Sequence, residues 1–465
     1  MTVRGISALL LLRIFVEIIG KFRTFFIIPF LTPEDFGLRA LGIFVFTLAG
    51  LPLWGWGMHI ITEEEDLEEM YTVQTAFIIS FWGVMGLIVI LLRDSITNFY
   101  KATGLSSILI FYALINIFHG TAAGSKLKLS KTIQHESIAK ISMITNIISL
   151  ISTIYLAYSG YGVWSLILGN HFAKSCWTIM NIKLAGLPLK RFNKRHIKNY
   201  FRRGSSFNIL SICITILFNI DDGIVGYLSG VEQLGYYSLA FGIGLLLSQF
   251  IVGPFRTVMF PALAKITHEQ RVIVFARALE LISILLIGVS LVTFFFIETI
   301  ILFFFGEGWL ILSSWGRWFV IFGLIQGLVS TLNNFLMVRK RVFDMIKIRL
   351  VQFALLFALG IPTTYLYGPI GMIVAQNCHV FFALIIEARI ASIEAENSII
   401  TNSFYVPLAS LAAALGTAIL LQLTIHPSMV ALGIMSISIY TFTIILMGRK
   451  SLQLVWQLLQ ESVGH

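Results

Sequence analysis

The chain has 465 residues, of which 57% are apolar and only 12% charged, with a net charge of +10 and a mean hydropathy of +0.88. A soluble globular chain carries about 25% charged residues, so too little polar surface is left here for a water-facing body; a soluble enzyme and a nucleic-acid-binding protein are excluded. Long continuous apolar runs exclude a barrel of short alternating strands. At roughly 20 residues per crossing plus short loops, the chain has room for about fourteen helices.

Apolar stretches between polar breaks predict spans over 6–31, 38–61, 73–92, 105–119, 141–158 and 162–184. Beyond a basic stretch they resume over 207–228, 236–258, 279–305, 315–337, 351–366, 370–390, 405–423 and 429–447. The first run lacks a small-residue cleavage site and outlasts a signal peptide, so it reads as a span. The expected fold is an all-α polytopic membrane protein: an N-lobe over 1–189, a basic cytoplasmic linker over 190–206, a C-lobe over 207–400, and two further spans with a cytoplasmic tail over 401–465. Cys176, Cys213 and Cys378 lie far apart inside apolar runs and form neither a disulfide frame nor a metal-ligand spacing. No metal or cofactor is implied.

Charge placement sets the orientation. With both termini cytoplasmic, inside loops hold about 22 of the 33 Lys and Arg and outside edges about three. The densest inside segment, 190–203, holds Lys190, Arg191, Lys194, Arg195, Lys198, Arg202 and Arg203 and reads as a topology anchor. The acidic run from Glu63 to Glu69 reads as a solvated turn, since acidic residues contribute little to orientation. No hydrophilic stretch is long enough for a soluble domain, and the glycine-rich stretch at 120–126 lacks the spacing of a phosphate-cradling loop.

The turn Phe30-Leu31-Thr32-Pro33-Glu34-Asp35-Phe36-Gly37 recurs in outline as Leu228-Ser229-Gly230-Val231-Glu232-Gln233-Leu234-Gly235. Six spans separate the copies, so both run in the same direction. Such a parallel repeat predicts two pseudo-symmetric six-helix lobes around a central cavity, with the substrate site between them.

The run from Asp222 to Phe241 resembles the span-seven-to-eight signature of the bacterial polysaccharide transporter family, the O-antigen and exopolysaccharide flippases of the multidrug/oligosaccharidyl-lipid/polysaccharide exporter superfamily. The segment 256–266 is similar to that family's loop after span eight. Thr32-Pro33-Glu34-Asp35-Phe36-Gly37 resembles its first outside turn, and the segments 305–309 and 124–131 its turn after span nine and its basic loop after span four. The resemblance implies a non-enzymatic flippase of the bacterial inner membrane that moves undecaprenyl-pyrophosphate-linked oligosaccharide by alternating access. Acidic residues in span seven point to coupling to H+ or Na+, and a polysaccharide polymerase and chain-length regulator are the expected partners. A cation-coupled multidrug exporter, a peptidoglycan lipid-precursor flippase and a membrane polysaccharide polymerase are the alternatives; the polymerase would need a large outside loop that is absent.

A sugar-pyrophosphate head loses water in hydrocarbon at a cost of several kcal/mol for each unpaired polar group, so a flippase needs a wet polar cavity. Charges inside spans cost about 2.5–3.5 kcal/mol each at mid-depth and mark where that cavity lies. Arg13, Glu17 and Lys21 share one face of span one, either as a self-neutralised stripe or as a cavity relay for pyrophosphate; Arg23 either joins them or snorkels outward. Asp221 and Asp222 in span seven, with Glu17, are candidates for ion coupling, and Asp221 alternatively pairs with Arg23. Lys174 is a candidate phosphate ligand or a helix–helix partner, Arg256 a candidate phosphate ligand or a cytoplasmic-interface anchor, and Asn333 and Asn334 candidate partners of sugar hydroxyls or interhelical glue. His379, beside Gln376 and Asn377, reads as a buried hydrogen-bonded histidine rather than a proton relay.

Overall fold

The computed structural model describes residues 23–53, 56, 60, 68–131, 135–188, 190–265, 268–339, 341–395, 402–424 and 428–447, and no strand occurs among them. Helix starts are written into the local sequence. The Thr32 hydroxyl accepts from the Asp35 amide, and Asp35 Oδ2 accepts from the Thr32 amide at 2.9 Å. This reciprocal cap, followed by proline at the first helical position, opens α1 (Pro33–Ala49). Then come α2 (Glu68–Tyr100), α3 (Leu105–Gly120), α4 (Ala123–Lys131), α5 (His135–Tyr158) and α6 (Val163–Ala185). They are followed by α7 (Lys194–Leu217), α8 (Ile220–Ser229), α9 (Val231–Lys265), α10 (His268–Phe305) and α11 (Ile311–Val338). The series ends with α12 (Val342–Tyr367), α13 (Pro369–Glu394), α14 (Tyr405–Thr424) and α15 (Met429–Met447).

Among the described residues, nine helical stretches are long and apolar enough to cross a membrane, or ten with α3 and α4 taken as one bent span. The all-α, multi-pass class therefore stands, while the described residues do not reach the expected count of about fourteen. The first predicted span lies mostly outside them. Helix α6 is not among the nine; its middle carries Asn170, His171 and Lys174.

Three local expectations change. The basic segment after span four is helix, not loop: α4 leaves α3 at 46° and is anchored by buried Leu129. The basic stretch from Lys194 on is likewise the first turns of α7, because Asn193 caps the amides of Arg195 and His196. Span seven is broken at Phe218–Asn219, and α8 begins at Ile220, so Asp221 and Asp222 sit in a first helical turn where exposed amides favour acid.

The described residues up to Ser238, with Ile361–Pro369, form one compact unit, and those from Leu239 to Gly360 and from Ile370 onward form the other. In the first, α1 packs on α3, α6 and α8; α2 packs on α3, α4 and α7; α6 packs on α4 and α5. The α5–α6 approach requires Gly169, whose added Cβ would lie 2.8 Å from Thr153 Cα. An aromatic cluster of Tyr71 and Phe77 of α2, Tyr200 and Phe201 of α7, and Trp56 packs within this unit. Beside it, Lys128 and Lys190 both bind Glu68, at 3.0 and 3.3 Å. In the second unit α10 packs on α11, α14 and α15, and the buried Tyr440 hydroxyl donates to the Ile284 carbonyl at 2.8 Å. Arg339 and Arg341 clamp Glu394 at the end of α13. Hydrogen bonding to Glu394 raises the Arg341 guanidinium above its ordinary range.

Candidate functional site

Within the first unit the helices line an open cavity of about 790 Å³. Each contributes one stripe at helical spacing: Ile43, Phe46, Thr47 and Gly50 follow α1; Gln74, Ile78 and Trp82 come from α2; Tyr112, Asn116 and His119 from α3. Lys126, Leu127 and Ser130 come from α4, and Asn170, His171, Lys174 and Trp177 from α6. The three- and four-residue steps put each set on one face, so an apolar helix with a single polar stripe can face lipid and a wet interior at once.

The lining is cationic. Among the described residues it contains Lys126 and Lys174 and no Asp or Glu. Neither lysine has a carboxylate partner among the described residues; Lys126 instead sits 5.5 Å from the centre of the Trp177 ring, a cation–π contact. The His119 and His171 rings stack with centres 5.3 Å apart and planes 6° from parallel. Ser175 Oγ lies 3.3 Å from His119 Nε2, and the Nδ1 atom of each histidine makes no hydrogen bond among the described residues. Behind the wall, Arg23 Nη1 donates to Asn170 Oδ1 at 2.8 Å and to the Ser149 hydroxyl. Arg23 thus orients a cavity-lining amide and does not pair with Asp221. Arg39 of α1 lies within electrostatic reach of Tyr112 and Asp222. A site of this kind offers positive charge, amide donors and indole faces to a ligand that brings its own negative charge.

The structure places the predicted residues in different settings. Lys174 lines the cavity and Arg23 supports it through Asn170. Asp221 is buried at 1% exposure and accepts from the Tyr237 hydroxyl at 2.6 Å, while Asp222 lies within electrostatic reach of Arg39. In the second unit Asn333 Oδ1 accepts from Arg349 Nη2 at 3.0 Å and Asn334 is buried in α11. His379 is a buried histidine hydrogen-bonded to Gln352 and Gln376. Arg13, Glu17 and Lys21 lie outside the described residues, as does the Arg256 side chain in α9. Sequence reasoning missed Lys126, His119, His171, Asn170 and Arg39. A usable signal was present: Asn116 with His119, and Asn170 with Lys174, repeat polar groups at one-turn spacing inside apolar helices.

Residues 29–314 match the model of the family described as polysaccharide biosynthesis protein. The teichuronic acid biosynthesis protein TuaB of Bacillus subtilis (strain 168) is 26% identical over 302 residues, which cover 62% of this chain and 60% of TuaB. The chain therefore spans about 60% of the length of that curated relative. Among solved structures, the lipid II flippase MurJ in an inward closed conformation aligns with a TM-score of 0.73 at 16% identity, covering 96% of this chain and 99% of MurJ. An inward-facing multidrug resistance MATE family transporter of the MOP superfamily aligns with a TM-score of 0.61 at 11% identity, covering 86% and 100%. These two likenesses establish the fold. With more than half of its length matched by the family model, the chain belongs to the polysaccharide biosynthesis protein family.

Proposed function

We propose that the protein is a flippase that carries undecaprenyl-pyrophosphate-linked oligosaccharide from the cytoplasmic to the outer leaflet of the bacterial inner membrane, by alternating access. The observation that carries this reading is the lysine-bearing cavity, lined by no acid among the described residues. Ionised groups at bilayer depth are expensive unless they face water, a partner or a ligand. Two lysines without carboxylate partners among the described residues suit a diphosphate, which supplies several acceptor oxygens and a balancing negative charge. Asn116 and Asn170 offer amides to sugar hydroxyls, and the Trp82 and Trp177 rings offer apolar faces to a pyranose. The prenyl tail stays in the bilayer. A relative named for teichuronic acid biosynthesis and a fold neighbour that is a lipid II flippase support the same substrate class.

A multidrug exporter for cationic compounds fits this cavity poorly, because a cation would meet Lys126 and Lys174 with no acid among the described lining residues to receive it. Both termini lie in the cytoplasm in this reading, a polysaccharide polymerase and chain-length regulator take over the product outside, and an H+ or Na+ gradient drives the cycle. Reconstitution tests it. Protein in vesicles carrying a fluorescent undecaprenyl-pyrophosphate disaccharide should move the probe between leaflets, measured as loss of protection from a membrane-impermeant quencher. Transfer no faster than in protein-free vesicles would refute the reading.

A further inference from the structure

The second unit holds a buried polar network unrelated to the cavity above. Arg349 of α12 donates through Nη2 to Glu387 Oε1 of α13 at 2.7 Å and to Asn333 Oδ1 of α11 at 3.0 Å. Its Nη1 donates to Gln352 Oε1. The Gln352 amide in turn points at His379 Nδ1 at 3.1 Å and donates to the His379 carbonyl at 3.1 Å. His379 Nε2 lies 2.6 Å from Gln376 Oε1, an acceptor, so the proton of neutral His379 sits on Nε2. The pair is dry: the Arg349 side chain is 6% exposed and that of Glu387 0%.

Directions along this chain single out one atom. His379 Nδ1 cannot take a proton without turning the Gln352 amide away from it. Arg349 is a permanent cation. Glu387 Oε2, by contrast, makes no hydrogen bond among the described residues and is the vacant basic position of the network. Arg349 is the charged group acting on both Glu387 and His379. Asn333 brings no charge from α11, and Leu384, one turn before Glu387, joins an apolar cluster with Ile282 and Leu286 of α10 and Leu328 of α11. A hard metal cation needs several oxygen ligands, whereas here a guanidinium already holds the carboxylate.

We propose that Glu387 is a proton-binding site that couples the packing of α11, α12 and α13 to pH; its link to a transport cycle rests on the flippase reading above. The proton adds to Oε2 and converts the carboxylate to a neutral acid. The charge-assisted bond from Arg349 to Oε1 then weakens to an ordinary one, and an uncompensated guanidinium remains in a dry, membrane-embedded setting. That state is relieved only by moving α12 relative to α11 and α13, which gives the proton mechanical consequence.

The test needs no natural substrate for its first arm. Infrared difference spectra of the full chain in lipid nanodiscs, acid minus alkaline, should contain a protonated-carboxyl C=O band that disappears in Glu387→Gln. An identical band in Glu387→Gln, or none in the wild type, overturns the proposal. If Glu387→Gln does not fold, Glu387→Asp keeps a carboxyl and should displace the band; an undisplaced band overturns it. In the second arm, flipping of the undecaprenyl-pyrophosphate disaccharide should lose its pH dependence in Glu387→Gln and keep it in Thr441→Ala, on an exposed face of α15. A wild-type pH profile in Glu387→Gln overturns the coupling role. If even the wild type flips nothing, the transport reading falls, and the infrared arm alone decides the proton site.

Discussion

The Arg349–Glu387 pair makes a stability prediction whose asymmetry follows from chemistry. Both side chains are buried, and each is the other's counter-ion. Glu387→Met leaves a guanidinium that cannot deprotonate, so the variant should lose about 3–5 kcal/mol, the cost of stranding a buried charge. Arg349→Met leaves a carboxyl that can neutralise itself by binding a proton. Its cost should be smaller, about 1–3 kcal/mol for the lost charge-assisted bonds. The sign of the pH dependence follows: as pH falls, the stranded carboxyl of Arg349→Met is protonated in both folded and unfolded chains, and its penalty fades. Glu387→Met shows no such relief in acid. The double variant, with neither charge, should be more stable than Glu387→Met alone. Denaturant unfolding of detergent-purified protein, followed by tryptophan fluorescence at acid and neutral pH, measures all three. Strictly additive single costs, or a Glu387→Met loss below about 1 kcal/mol, would refute the reasoning.

Other expectations are more local. Gly169→Val puts a Cβ against Thr153 Cα, an atom that cannot swing away, and should cost about 1–3 kcal/mol in the same unfolding assay. Tyr237→Phe removes a donor to buried Asp221 and should cost about 1.5–3 kcal/mol, visible as a lower unfolding midpoint; an unchanged midpoint would mean that other groups satisfy the carboxylate. Thr32→Ala breaks the reciprocal cap of α1 and should cost about 0.5–2 kcal/mol, whereas Thr32→Ser should be near neutral.

Much of the fold was legible because membrane insertion leaves a strong mark in one dimension: spans must be long and apolar, and the runs at 73–92, 279–305 and 429–447 reappear inside α2, α10 and α15. Boundaries were less legible where polarity and helicity part company. Ala123–Lys131 and the start of α7 are polar enough to read as loop, yet backbone capping and a buried leucine make them helical. The site was only partly visible. Lys174 stood out as a charge in an apolar run, but His119, His171 and Lys126 become a cluster only when α3, α4 and α6 fold together. Arg349 and Glu387 are similarly 38 residues apart in sequence and meet only through the pairing of α12 and α13. Asp221 looked like a partner for Arg23, because a sequence repeat cannot report that Tyr237 and Asn170 reach these groups first.

The central claim is that positive charge in the first unit's cavity holds the anionic head of a lipid-linked glycan. Measuring how the initial flipping rate of the undecaprenyl-pyrophosphate disaccharide depends on its concentration, for wild type and for Lys126→Gln/Lys174→Gln, tests it most directly. Each lost charge-assisted bond is worth about 1.5–3 kcal/mol, so half-saturation should rise by at least about tenfold, while Lys128→Gln, whose ammonium binds Glu68, stays near wild type. A double variant that saturates at the wild-type concentration would contradict the account.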